Sequence, residues 1–414
     1  MRRLVVGCLL IGLLGCLGLS AFVFAERQRV QTWATAFGMI LDAPQYAQMQ
    51  SAEDVLSYLS DNPTSVGLVA YSVDVEGDPD LSESHIFHNA DEPLPLASTA
   101  KIVVLAAYAR AVAAGEIDSA ETVPIAEWDQ YHIPNANGGA HIASLNELGI
   151  KTDRNGYAQD DTRTVTVGQL ARAMIEHSDN AAPEWLIDRL GYEAIQTIVD
   201  DLGLSDHLRL LPHSGLIVTL QNHEQDVVTA DYIDQLIAME REQFESLVWE
   251  NQQRWLSDAG WGAEAREFWQ GNVPPRDPRL EMFAMDQLSA QGTARDFATI
   301  MAGVATDRLF SAEISQIMRS YLEWPMSFES NSAEFRALGS KGGTLLGILT
   351  GATYFEPLAG DYANQPRVVV LFMRDVPMSA WLTFNSQFTH QLFEFQLARD
   401  PAFSEMVRNA LKDS

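Results

Sequence analysis

With 414 residues, 47 % of them hydrophobic, the chain has ample material for the core of one large globular domain or two smaller ones. Its formal charge of −29, from 56 acidic residues spread along the sequence against 27 basic ones, excludes nucleic acid and anionic membrane surfaces as partners. Both cysteines, Cys8 and Cys16, fall within the first 25 residues, so the remainder can hold no disulfide, cysteine-ligated zinc site or cysteine nucleophile.

Arg2 and Arg3 precede an uncharged stretch, Leu4 to Ala25, that reads as an export segment. Val23-Phe24-Ala25 suits signal cleavage, 22 uncharged residues also suffice to span a bilayer, and Leu13-Leu14-Gly15-Cys16 resembles the lipobox of bacterial lipoproteins. Residues 1–25 are therefore a cleaved signal, a membrane anchor or a lipoprotein leader. Each places the rest outside the cytoplasm, periplasmic or extracellular, secreted or membrane-anchored.

A linker over 26–45 leads to a helix expected from Tyr46 to Asp61 and ended by Asn62-Pro63. Strands are expected over Val66 to Val75 and Ile86 to His88, with turn residues Glu76 to Asp80 between them as in a hairpin. From Ile102 to Ala114 only Tyr108 and Arg110 interrupt an apolar run, which predicts a helix starting near Ser98, ending near Gly115 and buried on nearly every side. From there to about Ala305 the pattern is helical with long connections.

Two stretches read as insertions: Ala126 to Arg163, rich in Asn, Gly and Asp, and Met239 to Met285, whose Trp249, Trp255, Trp261 and Trp269 fit helix packing better than a lid. Strands return over Leu345 to Phe355 and Arg367 to Met373, joined by the turn-like Pro357 to Gln365, and a helical stretch follows from Ser379 to Leu397. Strands at both ends with helices between predict an α/β (α+β) fold, a mixed antiparallel sheet flanked by helices with an inserted all-helical subdomain. The domain would span 46–411, its sheet part about 46–97 and 340–411 and its helical part about 98–339.

The chain holds only four lysines, and two of them stand in informative places. Lys101 follows Ser98 by three residues at the start of the buried helix, where a hydroxyl and an amine share a face and desolvation can strip the amine of its proton. That is how a serine nucleophile is activated. Eighty residues on, Thr166, Leu170, Met174 and Ile175 frame a helix that stops at Ser178-Asp179-Asn180, and near the end Lys341 precedes Gly342, Gly343 and Thr344.

These three pieces match the S-x-x-K, S-D-N and K-T-G set, with Gly342 replacing the threonine of the third. The sequence thus resembles the penicillin-recognising serine hydrolases, the class A β-lactamase-like branch most closely, over roughly Tyr46 to Leu411. The resemblance implies that Ser98 attacks a carbonyl to form an acyl-enzyme, that Lys101 takes or relays its proton, and that Ser178 passes a proton to the leaving nitrogen. It further implies that Asn180 binds the substrate's amide side chain, that Lys341, with Gly342 and Gly343 beside it, faces the substrate carboxylate, and that the N–H groups of Ser98 and Thr344 form an oxyanion hole. Asp179 is read as holding a turn.

Substrates would be β-lactams or peptidoglycan stem peptides, with no cofactor and no metal. β-Lactam hydrolysis, a D-alanyl-D-alanine carboxypeptidase or related peptidoglycan hydrolase, and a membrane-attached sensor that acylates without turnover all use this set. They differ in the fate of the acyl-enzyme. Class A β-lactamases carry a glutamate after S-D-N that activates the hydrolytic water; in the corresponding LRLLPHSGLIVTLQNHEQD the only glutamate is Glu224, the candidate deacylation base. His213 and His223 in this stretch are read as hydrogen-bonding loop histidines.

Overall fold

The computed structural model describes residues 27–412 except 75, 83, 137, 205–207, 226, 272 and 275. The export segment Leu4 to Ala25 lies outside the described residues, among which no helix is long and apolar enough to cross a membrane. Within the expected linker, Arg27–Asp42 forms a helix that packs on the helix Met378–Gln387.

A six-stranded sheet organises the molecule: β1 Val66–Val73, β2 Pro79–Asp80, β3 Ile86–His88, β4 Phe335–Leu345, β5 Ile348–Pro357 and β6 Arg367–Met373, in the order β2-β1-β6-β5-β4, with β3 also on β1. All pairs are antiparallel, and Val66↔Met373 to Ser72↔Arg367 sets the register of the first strand against the last. Nearly three hundred residues of chain therefore separate neighbouring strands.

Side chains alternate along β6, so Val368, Val370 and Phe372 pack on one face against Ile102, Leu105, Phe297 and Met301. Val369, Leu371 and Met373 pack on the other against Val55, Leu59, Phe384, Phe393 and Phe403. The first face receives the helix Lys101–Ala113, whose residues 101 to 109 are all buried, as its long apolar run requires. The helix expected from Tyr46 starts later, at Ala52, because Ser51 and Asp54 close a capping box there, and it runs to Asp61 with Asn62 as its C-cap.

One expected element is wrong in extent. Lys341 does not precede the returning strand but lies inside it, since β4 runs from Phe335 to Leu345 and turns at Gly347 into β5. Gly347 has φ +75°, and a Cβ there would lie 2.3 Å from Met282 Cε, so this turn needs glycine. Gly339, Gly342 and Gly343 dilute the alternation by which a strand is recognised in sequence. The closing helical stretch is likewise three helices, Met378–Gln387, Thr389–Arg399 and Pro401–Lys412, the first two separated at Phe388 with φ +53°.

Both insertions contain helices. Ile125–Asp129 and Ala140–Glu147 are enclosed by the pair Thr122–Pro124 and Thr164–Thr166, while Arg241–Ser257, Trp261–Gln270 and Pro278–Leu288 build a third apolar cluster. Trp255, Trp261 and Trp269 are buried in that cluster, and Trp255 Nε1 donates to Gln130 O at 2.9 Å, tying one insertion to the other. These tryptophans are packing residues.

Candidate active site

Ser98 sits where the chain turns from Leu94–Pro95, paired with Gln291–Gly292, into the Lys101 helix. Ala97 just before it has φ +45°, which costs an L-residue roughly 1–2 kcal/mol. The hydroxyls of Thr99 and Thr350 both donate to Leu96 O and fix this bend, and the 3₁₀ turn Ala97–Ala100 then presents Ser98 partly buried.

Lys101 gathers the site. Its Nζ donates to Asn180 Oδ1 at 2.6 Å and to Ser178 O at 2.7 Å, and lies 3.2 Å from Ser98 Oγ and 3.3 Å from Ser178 Oγ. From β4, Lys341 Nζ reaches the same Ser178 Oγ at 3.0 Å and donates to Gly342 O at 2.6 Å. Two buried amines thus converge on one hydroxyl. Burial lowers Lys101 to about 7, against the opposing pull of Asp179 and Glu184, and burial with the charge of Lys101 holds Lys341 well below the ordinary lysine range. A neutral Lys101 amine has two N–H donors and one lone pair. With Ser178 O and Asn180 Oδ1 taking the donors, the lone pair is left for the Ser98 hydroxyl.

Strand β4 passes against the nucleophile's own amide. A Cβ on Gly343 would stand 2.5 Å from Ser98 N and 2.5 Å from Thr350 Oγ1, so only glycine permits this approach. Thr344 follows at an exposed position, its Oγ1 3.5 Å from Ile348 O. Gly342 is exposed and open, its nearest neighbour to an added Cβ being Thr350 O at 3.6 Å.

Ser178 occupies the left-handed region, φ +61°, after a widened helical turn over Ala173–His177. Asp179 beneath it is fully buried and holds this bend. Its Oδ1 accepts from Ala182 N at 2.6 Å and from Trp128 Nε1 at 3.2 Å, and its Oδ2 pairs with His141 Nδ1 at 2.7 Å. His141 Nε2 meets Asp129 Oδ1 at 2.9 Å, so one imidazole is clasped by two carboxylates. Burial opposes its charge, but Asp179 and Asp129 outweigh it and raise His141 to about 9. Burial likewise works against Asp179, which His141 and the Ala182 amide hold down at about 2.

The structure therefore brings Ser98, Lys101, Ser178, Asn180, Lys341 and Gly343 together. It does not bring Glu224, whose carboxylate pairs with Arg254 Nη2 at 3.3 Å and is about half exposed, nor His223, which meets Glu264 at 3.3 Å. His213 does come, with Nε2 3.2 Å from Asn180 Nδ2. Behind it Glu184 is buried against Ser214 and Gln252, and burial raises its carboxyl to about 7. Neither Glu184 nor His141 follows from the sequence, because their partners lie 12 to 68 residues away.

Among solved structures, the chain is similar to a mutant of PBP-A captured as an acyl-enzyme with penicillin G, 15 % identical, covering 88 % of this chain and 96 % of that chain with TM-score 0.44. It is similar to a β-lactamase from Sphaerobacter thermophilus, 17 % identical, covering 88 % and 97 % with TM-score 0.46. A class A β-lactamase representing the last common ancestor of Gram-negative bacteria is 15 % identical, covering 87 % and 98 % with TM-score 0.43. No curated protein matches the chain. The model of the beta-lactamase enzyme family, however, matches residues 49–357, a span that takes in the S-x-x-K serine, the S-D-N turn and the glycine-flanked lysine of β4 in turn, and by that match this chain belongs to the beta-lactamase enzyme family.

Proposed function

We propose that the protein is an exported serine hydrolase that opens β-lactam amides through an acyl-enzyme on Ser98. The observation that carries this reading is the convergence of Lys101 Nζ on Ser98 Oγ, Ser178 and Asn180. Lys101 would take the Ser98 proton as Oγ attacks the carbonyl, and Ser178, shared with Lys341, would deliver a proton to the departing nitrogen. The amides of Ser98 and Thr344 would receive the oxyanion, with Gly343 keeping β4 close enough for both to serve. Asn180 would hold the substrate's amide side chain, and Lys341 with Gly342 its carboxylate.

A second reading, a D-alanyl-D-alanine carboxypeptidase or other peptidoglycan enzyme with a long-lived β-lactam adduct, is favoured by the surface position of Glu224. One experiment separates the two: the purified protein is mixed with a chromogenic cephalosporin while colour and intact mass are followed, with Ser98→Ala in parallel. Sustained colour without a lasting adduct supports the β-lactamase, and a single burst with a stable adduct supports the peptidoglycan enzyme. Neither colour nor adduct in the parent, or colour or an adduct in Ser98→Ala, removes Ser98 from its role.

Gly342 offers a test of carboxylate binding. Gly342→Thr introduces a hydroxyl at an open position of β4, and one net hydrogen bond of about 0.5–1.5 kcal/mol lowers KM roughly 2- to 12-fold. The change in kcat should be small. An unchanged KM, measured with the same cephalosporin, would mean that the substrate carboxylate does not lie at this edge.

A further inference from the structure

We propose that His213 is the base that activates the deacylating water. The inference rests on the acyl-enzyme reading above, since any acyl-enzyme on Ser98 needs a proton acceptor for the attacking water, and Glu224 is engaged with Arg254 at the surface.

Position is the first argument. His213 Nε2 lies 3.2 Å from Asn180 Nδ2, Asn180 Oδ1 lies 2.6 Å from Lys101 Nζ, and Lys101 Nζ lies 3.2 Å from Ser98 Oγ. The second is the tautomer. Because Asn180 Oδ1 accepts from Lys101, its amide nitrogen faces the imidazole, and an amide nitrogen only donates. Nε2 is therefore the unprotonated nitrogen, on the side nearest the nucleophile, and the ring is held further by a backbone hydrogen bond at Ala136. A substrate amide carbonyl that takes over Asn180 Nδ2 would free Nε2 for water.

The third argument is support. His213 opens the helix His213–Leu220, and Glu184 anchors that first turn: Oε1 accepts from Ser214 N at 2.5 Å, and Oε2 accepts from Ser214 Oγ and from Gln252 Nε2 at 3.1 Å. Glu184 lies one turn into the helix Ala181–Leu190, which starts directly after Asn180. One rigid element thus positions both members of the His213–Asn180 contact. Burial first, then the charges of Lys101 and Arg276, against the pull of the Ala136 hydrogen bond and of Asp179, lower His213 to about 3, so the free ring is neutral and a weak base.

In the step itself, Nε2 takes a proton from water as the water oxygen bonds to the acyl carbon. The tetrahedral intermediate then collapses, the bond from Ser98 Oγ to carbon breaks, and the proton on the imidazole returns to Oγ. The acid leaves with the water oxygen, and the enzyme is restored.

The test follows the Ser98 adduct by intact mass in the full chain, after a pulse of chromogenic cephalosporin, for the parent and for His213→Gln, whose amide oxygen can still accept from Asn180. The expected result is a burst at the parent's rate and an adduct that persists at least about 100-fold longer. If His213→Gln does not fold, His213→Asn makes the same comparison. The inference is overturned if the adduct clears at the parent's rate, if burst and clearance slow equally, or if the parent's own adduct never clears. Absence of both colour and adduct in the parent is a different failure, that of the acyl-enzyme reading itself.

Discussion

Replacing Lys101 by methionine is expected to slow acylation of Ser98 by about 10³- to 10⁴-fold, the upper range for loss of a positioned base. Methionine keeps the volume of the buried stem and removes the amine that binds Ser178 O and Asn180 Oδ1. The pH profile should identify the group. With Lys101 lowered to about 7, the parent's acylation rate rises through pH 7 to a plateau, and the variant's residual rate should be flat there.

Stability rises with pH as well, over a wider window. An unfolded lysine binds its proton up to about pH 10.5, whereas the folded one releases it near 7, so the unfolded state holds more protons between these values and stability rises with pH across them. The burial cost is thus full below pH 7 and relieved above 10.5. Lys101→Met should remove this slope and leave the protein as stable as the parent or more so at neutral pH. Stopped-flow acylation within tenfold of the parent's rate would assign the proton transfer to another group and dissolve the reading of this site.

The parts of this molecule that were legible in sequence are those whose cause is local. The Lys101 helix announces itself because every position from 101 to 109 is buried, and the turn at Ser178-Asp179-Asn180 because its residues favour turns. Strand β4 was half hidden, since the glycines that admit the Ser98 backbone and the Tyr354 ring carry no side chain to alternate. The contact of His213 with Asn180 spans 33 residues and depends on a buried glutamate one turn past Asn180, and no spacing rule encodes it. The same holds for the first insertion. Its loop-like composition concealed Trp128, Asp129 and His141, which reach under the S-D-N turn and brace it.

That brace makes His141 the position where one substitution should cost the most stability. His141→Leu fills the space but leaves Asp129 and Asp179 facing each other without the cation between them. Breaking a buried pair by removing one partner costs about 3–5 kcal/mol. The pH dependence gives the effect a signature. His141 is raised from 6.5 to about 9, so its contribution is complete below pH 6.5 and is lost as pH climbs through 9. Asp179 is depressed from 3.8 to about 2, so its contribution is complete above pH 3.8 and is lost as pH falls through 2. The contribution of this pair is therefore greatest between about pH 4 and 6.5, and because Lys101 acts in the opposite sense above pH 7, its alkaline loss should be read from the stability difference between parent and His141→Leu, which shrinks as pH climbs through 9. Catalysis should fall with it, because Asp179 holds the bend that sets Ser178 between Lys101 and Lys341. Urea unfolding across this pH range measures both terms. A loss below about 1 kcal/mol at pH 6, or a difference between parent and variant that does not shrink as pH climbs through 9, would show that the two carboxylates do not depend on His141 and that the first insertion merely packs against the site.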